Sequence, residues 1–394
     1  KDLQRIVELC TTPDKSRFYR DLYALDTEAP ALIIGDEHAW QTLPYVTKDA
    51  LLKAPLAERI FSGAGTVDHL RASSGTSGKP PLFSPRTYLR GMEYRTEYHD
   101  FKNAILAYGV PAAPHWHEHF QASLGHTPRV IVFDPKRPAA SVRLAKIAGV
   151  DSISTFAFHI MLIGERMIRE GMNERIRFIE ICGEACTHAL LDYMRKTFPH
   201  ATVIPFYGSS EVEDSPIGMP CRPITGEEPL SLYHAKSSQY HEILDVETGE
   251  LLTPEKGIEG ELVITACPGE PSAFPLIRYK TGDMIRVIDA HCEKHAAWSF
   301  AVLGRVELDF IKIPGGVLRG DEAERVVRLF RDRISARFEL HRHERQQRQR
   351  ADAVSEKTHG PGLDLVERDP HRRPAQPPAE AQKHEQQPCR RDVV

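Results

Sequence analysis

Between residues 129 and 206 the apolar positions of the chain switch repeatedly between two spacings. Arg129-Val-Ile-Val-Phe133 is a short unbroken apolar run and predicts a buried strand, followed by helical spacing from about Ala139 to Ala148. Asp151-Ser-Ile-Ser-Thr-Phe156 predicts a second strand, and Ile160 to Glu170 carries Ile, Met and Leu at helical intervals. Ile176-Arg-Phe-Ile-Glu-Ile181 is a third strand, Leu190 to Phe198 sits in a third helix, and Ala201-Thr-Val-Ile-Pro205 is a fourth strand. Strands alternating with helices of this length imply right-handed βαβ crossovers and a largely parallel sheet. Ligands of such sheets bind beyond the carboxyl ends of the strands. Two segments fall there, Cys182-Gly183-Glu184-Ala185 and Phe206-Tyr207-Gly208-Ser209-Ser210-Glu211.

Beyond residue 240 the pattern changes. Tyr240-His-Glu-Ile-Leu-Asp245, Gly260-Glu-Leu-Val-Ile-Thr265 and Met284-Ile-Arg-Val-Ile288 read as strands separated by Gly, Pro and Thr turns. They predict a smaller β-rich subdomain at about 220–303. From about Arg331 onward Arg, His, Gln, Glu and Pro dominate, and too few apolar residues remain to offset the entropy of an ordered chain. Disorder is the expectation for 331–394. An out-of-frame reading of a GC-rich gene would have the same composition, and comparing the DNA in all frames separates the two. The fold class expected is α/β: a large N-terminal domain (1–303) with a mostly parallel βαβ sheet plus the smaller β-rich subdomain. A hinge and the start of a truncated or atypical C-terminal lid follow at 304–330.

Composition narrows the partners. In 394 residues, 41% hydrophobic and 27% charged, a formal net charge of −4 supplies no electrostatic reason to expect nucleic acid or an anionic membrane. No apolar run is long enough to span a bilayer. The first ten residues, Lys1 to Cys10, are amphipathic, lack the apolar core of a signal peptide and carry no initiator methionine; a trimmed or incomplete start is the expectation. Seven cysteines (Cys10, Cys182, Cys186, Cys221, Cys267, Cys292 and Cys389) form no CxxC pair; their odd number predicts reduced thiols and a cytoplasmic protein.

Four segments carry candidate chemistry. Arg71-Ala-Ser-Ser-Gly-Thr-Ser-Gly-Lys79-Pro80 packs Ser, Thr and Gly into a loop ending in lysine and proline. Small residues let backbone N–H groups approach an anion, and hydroxyls and an ammonium add donors, which is the chemistry of holding a polyphosphate. It is not the strand–GxxxxGK[ST]–helix loop, because Gly75 and Gly78 are too close and Pro80 follows the lysine. An ordinary flexible connection is the alternative. Tyr207-Gly-Ser-Ser-Glu211 puts an aromatic able to stack on a purine beside a carboxylate able to hold Mg²⁺ near phosphates; a plain strand-to-helix turn is the alternative. Arg278-Tyr-Lys-Thr-Gly-Asp283 ends in an aspartate suited to a ribose diol, or in a capping Asp of a turn. Gly304-Arg305-Val-Glu307-Leu-Asp309-Phe-Ile-Lys312 sets an arginine and a lysine around a glycine-led turn.

In this order the four segments resemble the signatures of the adenylate-forming superfamily: acyl-CoA synthetases, nonribosomal adenylation domains and firefly luciferase. The short lead before the phosphate loop and Pro275-Leu-Ile-Arg-Tyr-Lys-Thr-Gly-Asp283 look most like the phenylacetate–CoA ligase branch. The resemblance covers roughly 45 to 330. It implies an AMP-forming acid–thiol ligase that activates a small carboxylic acid with ATP and Mg²⁺ and passes the acyl group to CoA. A carrier-protein thiol or an amine is the alternative acceptor, and a homodimer is left open. Ser73, Ser74, Gly75, Thr76, Ser77, Gly78 and Lys79 would contact ATP phosphates, Lys79 also serving catalysis. Gly183, Glu184 and Ala185 would line the adenine, Tyr207 would stack on it within the Gly208-Ser209 loop, and Ser210 would touch the α-phosphate. Glu211 would bind Mg²⁺, Asp283 the ribose hydroxyls, and Arg305 would close over ribose and phosphate at the hinge. Phe156, Phe158, Phe206 and the Pro216–Met219 loop would form a flat, apolar acid pocket favouring an aryl or small apolar acid.

The chain departs from the family at its end. Only Lys357 and Lys383 lie in the tail, neither in the Gly-Lys context of the lid lysine, and Glu307 stands where an aspartate or lysine is usual, with the acidic residue displaced to Asp309. A catalytically impaired nucleotide-binding protein is therefore the rival from another class. Weaker features are His115-Trp-His117-Glu-His119, which would present three imidazoles on one face if extended, and Cys221 with His234 or His241 as part of a zinc site. The family resemblance makes the first a flank of the acid pocket; ordinary loop residues are the alternative for the second. Cys182 and Cys186 read as buried small apolar residues.

Overall fold

The computed structural model describes residues 2–26, 28–62, 67, 69–73, 80–86, 104–108, 129–183, 185–212, 216–235, 239–266, 273–293, 295, 297–306, 310–313, 316–319, 339–342 and 363–366. They fall in two compact units, 1–321 and 322–394.

The first unit opens with helices α1 (Asp2–Thr11), α2 (Arg17–Leu22), α3 (Glu37–Thr42), α4 (Lys48–Lys53) and α5 (Leu56–Arg59). Two of the short ones start on side-chain caps that satisfy an orphan amide: Asp36 accepts from the Ala39 N–H and Thr47 from the Ala50 N–H. Strands β1 (His69–Ala72) and β2 (Phe83–Arg86) then form an antiparallel pair. The next stretch is β3 (Ala104–Tyr108), β4 (Arg129–Val132), α6 (Pro138–Ala148), β5 (Ser152–Phe156), α7 (Ile160–Arg169), β6 (Phe178–Cys182), α8 (His188–Thr197) and β7 (Thr202–Pro205). Its five strands make a wholly parallel sheet in the order β4-β3-β5-β6-β7. Ile153, Ile179, Ile181 and Val203 of the sheet bury against Val142, Ile163, Met167, Leu191 and Met194 of the three helices. Gly149 closes α6 in the left-handed region, φ 73°, where a side chain would be strained.

The second sheet consists of β8 (Gly218–Pro220), β9 (Tyr233–Ala235), β10 (Gln239–Leu244), β11 (Leu251–Leu252), β12 (Glu259–Ala266), β13 (Tyr279–Cys292) and β14 (Ala297–Arg305). All its pairs are antiparallel, in the order β11-β10-β12-β13-β14-β9-β8. Its apolar face packs on the N-terminal helices: Ile6, Val7, Phe18, Tyr19 and Trp40 share one core with Ile243, Ile264, Ile285, Val287 and Phe300. A hairpin of β15 (Phe310–Ile313) and β16 (Gly316–Arg319) follows. In the second unit β17 (Glu339–Arg342) pairs antiparallel with β18 (Leu363–Val366), and the rest of the span expected to be disordered lies outside the described residues.

The mixed α/β class and the four parallel strands agree with the sequence expectation, and each helix lies within two residues of it. The structure adds a fifth parallel strand, β3, between β4 and β5, and among the described residues the antiparallel sheet has seven strands. Its strand β13 runs fourteen residues and begins at Tyr279, inside the segment whose alternative reading was a turn. The pattern of β13 alternates buried and half-buried positions from Tyr279 to Asp283 and again from Ile285 to Val287, as a strand with one covered face requires, with Asp283, Met284 and Ile285 all buried where the alternation shifts phase.

Candidate active site

Phe156, Gly183 and Phe206 each lie at the carboxyl end of a parallel strand. Phe156 ends β5 in register with Cys182 of β6, Gly183 follows that cysteine, and Phe206 follows β7 with its N–H donating to the Ile181 carbonyl. Gly183 sits at φ 83°, and a Cβ there would stand 2.5 Å from the Phe156 ring. The adenine segment and the acid pocket inferred from sequence therefore meet at this glycine. Ala185 is exposed beside it, and Cys182 and Cys186 are buried thiols as expected.

The chain then crosses from the parallel to the antiparallel sheet. Tyr207 bridges Gly218: its carbonyl accepts from the N–H groups of Ile217 (2.9 Å) and Gly218 (3.2 Å). Its ring is buried against Tyr233 and Phe300, at centroid distances of 5.5 and 6.1 Å. A Cβ on Gly218 would lie 2.9 Å from Tyr233 and 3.0 Å from the Tyr207 ring, so only glycine lets these rings close. The Tyr207 hydroxyl donates to Asp283 Oδ2 at 2.7 Å. Burial and the neighbouring Asp283 carboxylate hold its phenol well above the ordinary tyrosine range, so Tyr207 is a neutral donor.

Asp283 stands on a bulge. Glu261 pairs with Met284 and Val263 with Lys280, so Thr281, Gly282 and Asp283 oppose the single residue Leu262. Gly282 takes φ 75°, the Thr281 hydroxyl donates to the Leu262 carbonyl at 2.7 Å, and the Asp283 N–H donates to Thr281 Oγ1 at 3.1 Å. A bulge re-aims a side chain that a regular ladder would face elsewhere. Burial pushes the Asp283 carboxyl up to about 6; Arg305 and the Tyr207 hydrogen bond oppose the rise, and Glu211 and Glu261 add to it. Arg305, the last residue of β14, pairs across from Asp283 with Nε 2.9 Å from Oδ1 and donates from Nη1 to the Thr281 carbonyl at 2.7 Å. Partial burial opposes its charge, but Asp283 and its neighbours more than compensate and hold the guanidinium above its ordinary value.

Glu211 is buried at the end of the same loop. Its Oε1 is 3.2 Å from Lys48 Nζ, and its Oε2 accepts from the Ser209 hydroxyl and, at 3.5 Å, from Ser210. Burial raises its carboxyl, but Ser209 and Lys48 outweigh that and leave it below the ordinary range, so it is an anion. Lys48 also donates to Ser73 Oγ at 3.4 Å, and Ser73 is locked at the exit of β1 by hydrogen bonds with both backbone groups of Leu82. Lys48 thus joins Ser73, at the start of the Ser/Thr/Gly segment, to the Tyr207–Glu211 loop.

Lys48 was missed from sequence because locally it marks only the first residue of a Thr-capped helix. What delivers it is the Val46–Tyr279 bridge, in which Val46 N–H donates to the Arg278 carbonyl and Lys280 N–H to the Val46 carbonyl. Arg278 anchors that crossing. Fully buried at φ 49°, it donates to the carbonyls of Trp40, Gln41 and Leu43 at the end of α3, pairs with Glu242 at 3.2 Å and lies over the Tyr45 ring. The orphan carbonyls of a helix end are satisfied by a guanidinium from a distant strand.

The structure therefore brings Ser73, Tyr207, Gly208, Ser209, Ser210, Glu211, Asp283 and Arg305 into one region where the two sheets join. Met219 lies on β8, paired with His234 of β9. Residues 74–79, with Lys79, and Glu184, Glu307, Asp309 and the histidines at 115, 117 and 119 lie outside the described residues, as does the Phe158 side chain.

This fold is similar to that of solved acyl-CoA ligases. Among solved structures, 2-hydroxyisobutyryl-CoA ligase is similar in an open conformation with 2-HIB-AMP and CoA: TM-score 0.65, 14% identity, 86% of this chain and 80% of that one covered. The same ligase in its postadenylation state with 2-HIB-AMP gives TM-score 0.64 at 14% identity over 86% and 73% of the two chains. In its thioesterification state with 2-HIB-AMP and CoA it gives 0.58 at 15% over the same shares. At such identity the likeness is one of fold. No family model matches the sequence, and no curated protein does. Among the described residues no helix is long and apolar enough to cross a membrane.

Proposed function

We propose that the chain activates a carboxylic acid with ATP, releasing pyrophosphate to form an acyl-adenylate, and then transfers the acyl group to CoA. The observation that carries this is the joined set Tyr207–Asp283–Arg305 with Lys48–Glu211 on adjoining segments. One half suits a nucleoside: Asp283, anchored by Arg305, accepts from a ribose diol, and Tyr207 forms the wall beside it. The other half suits phosphates: Lys48 and Ser73 stand at the mouth of the Ser/Thr/Gly loop, with Lys79 assigned to its far end.

In the first half-reaction an oxygen of the acid forms a bond to the α-phosphorus as the bond to the pyrophosphate oxygen breaks. No protein nucleophile is needed; the chain must hold two anions in line and offset their repulsion. Glu211, an anion beside two serine hydroxyls, fits a hard divalent cation such as Mg²⁺, which when bound would neutralise phosphate oxygens. In the second half-reaction the CoA thiol attacks the acyl carbon and AMP leaves. The similar ligase structures with 2-HIB-AMP and CoA support this acceptor. Phe156 and Phe206 at the strand ends support an aryl or small apolar acid, in keeping with a phenylacetate–CoA ligase-like enzyme.

Acid-dependent ATP–pyrophosphate exchange with Mg²⁺, over a panel of aryl and short aliphatic acids, tests the proposal. Exchange above the no-acid control, lost in Lys79→Ala and Glu211→Gln, is expected. ATP binding without exchange for any acid would mean that the nucleotide site is present and the adenylation chemistry is not.

A further inference from the structure

We propose that Cys221, His234, Cys292 and His295 bind one structural zinc ion at the β8–β9 edge of the antiparallel sheet. One ligand atom from each of Cys221, His234 and Cys292 lies within 4.8 Å of the others. Cys221 directly follows β8 and is held to the β9 approach by its N–H donating to the Leu232 carbonyl at 2.8 Å. His234 lies in the middle of β9 and is buried, Cys292 is the last residue of β13, and both cysteines are thiols. His295 supplies the fourth donor. Its ring centroid is 4.0 Å from that of His234, and its N–H donates to the Cys292 carbonyl at 3.2 Å, closing a tight Cys-x-x-His turn. Three separate stretches of chain thus converge two thiols and one imidazole, with the His295 ring packed against that of His234.

That donor set selects zinc. Thiolates with imidazoles in a four-coordinate site suit Zn²⁺, with Zn–S about 2.3 Å and Zn–N about 2.0–2.1 Å. Tetrahedral ligands at these lengths stand about 3.8 Å apart or less, so the three atoms need close by only about 1 Å. Four protein ligands leave no open position, which makes the ion structural. Sequence left the partner of Cys221 open between His234 and His241; the structure selects His234. His241 instead packs on Trp298 and Phe300 with Nε2 3.1 Å from Gln239 Oε1, and burial pushes it down to about 3.

The site has a consequence for the nucleotide pocket. Successive residues of a strand face opposite sides, so while His234 turns to the cysteines, Tyr233 turns to Tyr207 and Phe300. An ion tying β9 to Cys292 and His295 would hold the strand on which the Tyr207 ring rests.

The experiment is metal analysis of the full chain, kept in reductant, loaded with Zn²⁺ and freed of excess. About one zinc per chain is expected, with Cys221→Ser and Cys292→Ser falling to near none and Cys389→Ser unchanged. His295→Ala should weaken zinc by at least the ~10-fold that even an outer-shell change costs. Should the serine variants fail to fold, Co²⁺ loading of the unaltered chain decides. The intense visible bands of a tetrahedral site with thiolate charge transfer are expected, and octahedral Co²⁺ or no uptake overturns the proposal. So do an unaltered chain that retains no zinc, serine variants that bind it as tightly, or a native Cys221–Cys292 disulfide.

Discussion

The two sheets of this chain are stabilised in different ways. The parallel sheet packs its apolar face, with Ile153, Ile179, Ile181 and Val203, on helices that alternate with its strands in sequence, and buries Ser154 hydrogen-bonded to Glu180 on the other. The antiparallel sheet is covered by helices from the far N-terminus and is fastened to them by polar groups: Arg278 with Glu242 and the α3 carbonyls, Lys48 with Glu211, and Trp40 Nε1 donating to Glu242 Oε1. The first region is held mainly by packing, the second by packing reinforced with paired charge. The candidate site straddles them, with strand-end residues from one and ionised groups from the other.

The largest contrast is expected at Arg278. Arg278→Ala strands the Glu242 carboxylate and the carbonyls of α3, and breaking such a buried pair costs ~3–5 kcal/mol. Denaturant unfolding should show this loss; a change under ~1 kcal/mol would mean that the pair contributes little. Next is Lys48→Met, which removes the cation joining Ser73 to Glu211. Loss of one such electrostatic contact is expected to lower acid-dependent exchange by about 10²-fold. A variant with unchanged exchange would place Lys48 outside the reaction.

A third test uses pH. The Asp283 carboxyl lies at about 6 in the fold against an ordinary 3.8, so between these values the folded state holds the extra proton. Its contribution to stability is therefore greatest below about pH 4 and is lost as pH rises through about 6. Nucleotide binding should move the other way, since only the ionised carboxylate accepts two hydroxyl hydrogen bonds and pairs fully with Arg305. Affinity is expected to fall up to tenfold per pH unit below about 6, and Asp283→Asn should flatten both trends. Parallel rather than opposite trends would refute the assignment. The smallest effect belongs to the parallel sheet: Ile153→Val, in the centre of its core, should cost ~0.5–1.5 kcal/mol and leave exchange unchanged.

How far the sequence carried differs between the sheets for the same reason. The short runs at 129–133, 151–156, 176–181 and 201–205 announce strands because they are brief, rich in β-branched and aromatic residues and alternate with helical spacing, and Gly149 or Thr187 marks a helix end within its own few residues. β3 escaped because its five residues stand without an adjacent helix pattern to define a βαβ unit. Tyr207, Glu211, Asp283 and Arg305 were legible as motifs, yet nothing in the motif around Asp283 announces a bulge; the positive φ of Gly282 and the offset pairing with β12 do.

By itself, then, the sequence determined the alternation of strands and helices, the class of fold and the residue types able to meet a nucleotide, since these depend on periodicity and on chemistry within a few residues. Only the tertiary structure decided that Lys48 faces Glu211, that Arg278 closes α3, that Tyr207 donates to Asp283, and that Cys221 and Cys292 converge on His234. All of these but Cys221 and His234 join segments far apart along the chain, and what holds them together is burial and strand register, neither of which a local pattern encodes.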